Sequence, residues 1–202
     1  GTGNAFGSGG RQSLSILVQS GGFAVLLDCG TGCLPMLKRY DCPVGDIGLI
    51  LITHHHGDHF CGVPFLLLEY KYETPRRDSL SIVGPPGTRD KVAQLNGLLF
   101  PGLDSPPPDS PLSYQELVDQ SIRVGPVLVI PFRVRHFPEG IALGYRLELE
   151  ERAVVFSGDT EWTDALADQS RGADLFICEC STFESKVPYH MSYRELEAQK
   201  DR

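Results

Sequence analysis

Four of the six histidines fall between positions 54 and 59, in Thr53-His54-His55-His56-Gly57-Asp58-His59. Imidazole nitrogens with an interleaved carboxylate are a donor set for divalent metal, zinc first, with manganese or iron also compatible. His54 and His56 stand two apart on a turning chain and can converge on one ion. Asp58 and His59 are adjacent, after a glycine that permits a sharp turn, and can reach a second ion nearby. A polar surface turn with accidental histidines is the competing explanation, and the concentration of this residue type at one place argues against it. Two more acid–base groups close apolar runs. His136 ends Arg133-Val134-Arg135-His136, and Asp159 ends Val154-Val155-Phe156-Ser157-Gly158-Asp159. Taken singly they would read as a core histidine and a helix cap; beside the cluster they read as further ligands.

These groups need elements that end where they begin. Ile47–Thr53 is a nearly continuous apolar run and predicts a buried strand delivering the cluster at its end. Ser13–Gln19 and Phe23–Asp28 predict a hairpin joined by Ser20-Gly21-Gly22. Cys33, Met36, Leu37 and Tyr40 predict a short amphipathic helix, Val63–Tyr70 a buried helix, Leu80–Val83 a strand and Arg89–Leu99 a helix. The proline-rich stretch 101–111 predicts a surface loop or lid. Strands resume at Ile122–Val124, Val127–His136, Ala142–Glu150 and Ala153–Ser157. Thr163–Gln169 predicts a short helix, and Asp174–Glu179 a buried strand. Ser192-Tyr193-Arg194-Glu195 fits a capping box, with Met191 and Leu196 as its hydrophobic staple, so His190 stands just ahead of a helix. Strands first and then alternation predict an α/β (α+β) architecture of two mixed sheets with helices outside them.

Composition narrows the class. The chain has 202 residues, which suits one domain, 1–202. Lysine and arginine total 18 against 26 acidic residues, a net charge of −8, which argues against coating DNA or RNA by bulk charge. No apolar run approaches a membrane span, and Gly1–Gly10 lacks the pattern of a signal peptide. The six cysteines form no C-x-x-C and sit mostly in apolar stretches. They predict buried thiols and a cytoplasmic protein.

Together, the H-x-H-x-D-H string after a strand, the strand-ending His136 and Ser157-Gly158-Asp159-Thr160 resemble the metallo-β-lactamase fold of binuclear metallohydrolases. Gly1-Thr2-Gly3-Asn4 through Gly10-Arg11 resembles the ribonuclease Z-like branch, as do Leu27-Asp28-Cys29-Gly30-Thr31-Gly32, Gly62-Val63-Pro64-Phe65-Leu66 and Glu179-Cys180-Ser181-Thr182-Phe183. The resemblance implies a four-layer αββα sandwich. It implies one ion with His54, His56 and His136, another with Asp58 and His59, and Asp159 bridging both. It implies a proton donor or phosphate partner before the final helix, a place that His190 matches. It also implies one more metal-binding histidine after that helix. None follows His190, so the sequence predicts either a domain lacking its C-terminal segment, the favoured expectation, or a ligand role for His190 itself. The tRNA-clamping arm of bacterial ribonuclease Z, expected between the equivalents of His136 and Asp159, has no room in the 22 residues separating them.

The expected chemistry is hydrolysis. Two such ions bridge a water and lower its pKa toward neutrality. Asp58 then orients the nucleophile or accepts its proton, and His190 protonates the leaving alkoxide or holds a phosphate oxygen. The resulting expectation is a metal-dependent phosphodiesterase on a small or cyclic phosphodiester or short RNA, compatible with a homodimer. Competing expectations are tRNA 3′-end processing, lactonase- or β-lactamase-type hydrolysis, and a non-catalytic metal-binding relative.

Overall fold

The computed structural model describes residues 1–74, 76, 78–102 and 111–200. Residues 103–110 lie outside it, and with them most of the expected proline-rich loop. The chain divides into two compact units, Gly1–Glu116 and Leu117–Arg202.

In the first unit, β1 (Ile16–Ser20) and β2 (Phe23–Leu27) form the expected hairpin. Then come α1 (Cys33–Arg39), β3 (Ile47–Leu51), α2 (Gly57–Phe60), α3 (Val63–Tyr72), β4 (Leu80–Gly84), α4 (Thr88–Leu99) and β5 (Leu112–Glu116). The sheet order is β1-β2-β3-β4-β5, antiparallel at β1/β2 and parallel from β2 onward. Every residue of β3 and β4 is buried, which is why both read as unbroken apolar runs. Ile50, Ile52, Leu66 and Ile82 meet in one core cluster, each fully buried. Burying such a side chain contributes about 1.5–3 kcal/mol. β5 was not anticipated from sequence. Its Leu-Ser-Tyr-Gln-Glu has no apolar run, and it exists through its ladder with β4, reinforced by Ser81 Oγ and Ser113 Oγ at 2.9 Å.

The second unit carries β6 (Ile122–Val124), β7 (Val127–Val134), β8 (Ala142–Leu149), β9 (Arg152–Phe156), α5 (Asp164–Ser170), β10 (Leu175–Ile177) and α6 (Tyr193–Glu197). The sheet order is β10-β9-β8-β7-β6, parallel at β10/β9 and antiparallel elsewhere. Phe132, Val155, Leu166 and Met191 form one of its buried clusters, with Leu196 packed against it. The start of α6 is as the sequence predicts. Ser192 caps Glu195 N–H, Glu195 returns a bond to Ser192 N–H, and Met191 is buried beside Leu196. Among the described residues no helix is long and apolar enough to cross a membrane.

Candidate metal centre

In the first unit the candidate ligands follow the C-terminal end of a parallel strand, where open α/β sheets present ligand-binding loops. The ends of β2 and β3 are tied through Asp28. Its N–H donates to the Leu51 carbonyl at 2.8 Å. Its Oδ1 accepts from Thr53 N–H at 2.8 Å and its Oδ2 from Thr53 Oγ1 at 2.9 Å. His59 Nδ1 lies 2.7 Å from the same Oδ2. Asp28 is fully buried at φ +55°, a left-handed conformation that Asp tolerates better than most residues. Burial pushes its carboxyl above the usual carboxylate range, while His59 and the Thr53 bonds act in the opposite direction. Donors converge on both oxygens and leave a carboxyl proton nothing to bond, which favours the carboxylate.

That carboxylate sets the tautomers around it. An acceptor at Asp28 Oδ2 requires the proton of His59 on Nδ1, so Nε2 presents its lone pair. The Thr53 hydroxyl proton is committed to Asp28, so its oxygen accepts from His54 Nδ1 at 3.0 Å. His54 too is left with its lone pair on Nε2. The His54 ring lies 4.6 Å from that of His56 and 4.1 Å from that of His59, centroid to centroid. Asp58 Oδ2 is 3.5 Å from His59 Nε2. Gly62 permits this packing, because a Cβ there would collide with the carbonyls of Cys29 and Gly30 beneath the cluster.

In the second unit the end of β7 is drawn to the turn after β9. Arg135 N–H donates to Thr160 Oγ1 at 3.1 Å, and Glu161 N–H to the Arg135 carbonyl at 2.8 Å. This pairing sets His136 beside Asp159, with Nε2 and Oδ2 3.9 Å apart. His136 is buried, and its Nδ1 donates to the Tyr189 carbonyl at 3.0 Å. Tyr189 holds φ +65°, a left-handed conformation uncommon for a bulky side chain, fixed by its N–H bond to Glu161 Oε1 at 3.0 Å. His190 Nδ1 sits 3.1 Å from each oxygen of Glu179. Glu179 also accepts from Ser181 Oγ at 2.9 Å and from the N–H of Thr160. His136, Asp159 and His190 each offer a ligand atom, all within 4.8 Å of one another.

One pattern recurs. The Nδ1 of His54, His59, His136 and His190 each meets an oxygen, from Thr53, Asp28, Tyr189 and Glu179 respectively. Metal-binding histidines are held in this way, one nitrogen anchored and the other left to the ion. With carboxylates at Asp58 and Asp159, the donor types present in both units suit a divalent cation.

The family model described as "Anti-Pycsar protein Apyc1" matches residues 1–201. The chain belongs to the Apyc1 family. The chain is also similar to "Ribonuclease Z" of Mycobacterium sp. (strain KMS), 30% identical over 194 residues. That match covers 88% of this chain and 65% of the relative's length. Human tRNase Z, short form, superposes with a TM-score of 0.82 at 23% identity, over 100% of this chain and 86% of that one. The metallo-β-lactamase fold protein YhfI from Bacillus subtilis gives 0.74 at 21% identity, over 93% and 73%. The Apyc1-family chain therefore has the metallo-β-lactamase fold expected from its sequence, with two mixed sheets.

Two organising carboxylates of this Apyc1-family chain, Asp28 and Glu179, went without a role in the sequence reading. Both lie in stretches that resemble the branch, Leu27–Gly32 and Glu179–Phe183, and each stretch holds one acidic residue facing a histidine. His55, in the middle of the cluster, bonds elsewhere. Its Nε2 is 2.8 Å from Thr88 Oγ1, whose own proton goes to the Pro85 carbonyl. Burial, aided by Lys91, lowers the His55 pKa to about 4.

Proposed function

We propose that this Apyc1-family chain serves as an anti-Pycsar protein, as its family is described, by acting as a binuclear metal-dependent phosphodiesterase on a small or cyclic phosphodiester or short RNA. The observation that carries the reading is the shared poise of His54, His59, His136 and His190, each with Nδ1 anchored on oxygen. We take the ligands to be His54, His56, Asp58, His59, His136 and Asp159, and the ions to be zinc in the first instance. The grouping of His190 with His136 and Asp159 favours a ligand role for His190 as well. Two divalent ions would supply Lewis-acid activation of water and charge stabilisation at the phosphoryl oxygens. Asp58 accepts a proton or orients the attacking water. Asp28 and Glu179 hold the imidazole tautomers, so that no reorganisation is needed when charge develops.

The short connections around β8 support a small substrate. β8 and β9 occupy most of the chain between His136 and Asp159, joined by turns of a few residues. They leave no arm with which to clamp a folded tRNA. The ribonuclease Z relative favours a second reading, 3′-end processing of tRNA, which would require that grip from elsewhere.

The test is hydrolysis of bis(p-nitrophenyl) phosphate by zinc- or manganese-loaded protein, against a chelator-treated control and a lactone substrate. Turnover of the phosphodiester that disappears with the metal is the expected result. Lactone hydrolysis without phosphodiester turnover, or protein that binds no divalent ion, overturns the reading.

A further inference from the structure

Around the bridge between Thr182 and Ser192 the chain exposes an aromatic stack. The rings of Phe183 and Tyr193 lie 5.1 Å apart and 5° from parallel, and the Arg194 guanidinium carbon sits 5.0 Å from the Phe183 centroid. Phe183 is 59% exposed and Tyr193 41%, large values for rings in ordered structure. Backbone bonds hold the stack in place: Tyr193 N–H to the Thr182 carbonyl at 2.8 Å, and Arg194 N–H to the Phe183 carbonyl at 3.2 Å. The capping box at Ser192 fixes the turn between His190 and Tyr193. The rings are thus preorganised, and the packing of the unit does not consume them.

We propose that the Phe183–Tyr193 stack is a platform for the base of a nucleotide substrate, with Arg194 backing the stack. Three observations select that occupant. Parallel rings with a planar cation form a pile that a flat heterocycle extends, whereas aliphatic groups do not need that geometry. The surroundings are charged, with Arg194 paired to Glu184 and Glu197 and Lys186 to Glu195, which suits a polar, charged ligand carrying a flat ring. The stack also adjoins the candidate chemistry. Ser181 Oγ lies 3.2 Å from His190 Nδ1, and Phe183 follows two residues later in the chain. The inference rests on the phosphodiesterase reading and deepens it: the substrate carries an unpaired base.

Thymidine 5′-(p-nitrophenyl) phosphate and methyl p-nitrophenyl phosphate share a leaving group and differ in the base-bearing half. In Phe183→Leu and Tyr193→Leu, the ratio of kcat/KM for the nucleotide ester to that for the methyl ester should fall by about tenfold or more, chiefly through KM. An unchanged ratio, whether both rates fall together or neither does, overturns the platform. If the wild type hydrolyses neither ester, the phosphodiesterase reading fails by itself. Calorimetric binding of thymidine 5′-monophosphate then decides the platform: weaker binding by both variants sustains it, and equal binding overturns it.

Discussion

Glu179 presents both carboxylate oxygens to Nδ1 of His190, each at 3.1 Å, while also accepting the backbone N–H of Thr160, next to Asp159. One side chain therefore fixes a histidine and the turn that carries an aspartate. Its counterpart in the other unit is Asp28, which holds His59 directly and His54 through Thr53. Each candidate ligand group is built around a buried or nearly buried carboxylate that is not itself a proposed ligand.

For Glu179 the expected effect is on metal affinity rather than on folding. Glu179→Ala frees the His190 ring and the Thr160 turn, and should weaken zinc binding by about 10–100-fold. Glu179→Gln keeps one acceptor oxygen and should fall between alanine and wild type. Competition with a chromophoric chelator measures the affinities, and circular dichroism checks that the fold is retained. Wild-type affinity in Glu179→Ala would remove Glu179 from any positioning role.

Asp28 joins two strand ends, so its replacement should act on both metal affinity and stability. Asp28→Asn preserves volume but places an amide N–H₂ where Thr53 or His59 now donates. A donor facing a donor leaves a buried group unsatisfied, which costs about 1–3 kcal/mol. Urea denaturation of metal-free protein should report that loss, and the loaded protein should lose more, because the His59 tautomer is no longer fixed. Equal losses in the two states would mean that Asp28 braces the strands and does not tune the ligands.

The sequence makes the candidate donors readable because histidine is a rare residue type in this chain and clusters visibly. Four histidines within six positions are conspicuous, and a capping box has a fixed spacing, so His54, His56, His59 and the start of α6 were all legible. Asp28 and Glu179 were not, because an isolated acidic residue has no local signature. Their roles depend on which nitrogen they meet across 31 and 11 residues of chain. Tyr189 is harder still, since its contribution to His136 is a backbone carbonyl turned by a positive φ. β5 was missed for a related reason: it has no apolar run and no fully buried residue, and its partner strand makes it.

His55 offers a pH prediction separate from the ligands. Its pKa in the fold is lowered to about 4 from 6.5, first by burial and then by Lys91, with Glu116 opposing. Between those values the unfolded chain binds a proton that the folded chain refuses, so stability falls as pH drops from about 6.5 toward 4 and is unaffected above that window. The ring is only partly withdrawn from water, so solvent screening reduces the shift's full value to an effect of about 1 kcal/mol. His55→Gln keeps an N–H able to donate to Thr88 Oγ1 but cannot titrate. In metal-free protein, the loss of unfolding free energy between pH 7 and pH 4.5 should be smaller in His55→Gln than in wild type by about that amount. Parallel pH profiles for the two proteins would show that His55 titrates alike in the folded and unfolded chain.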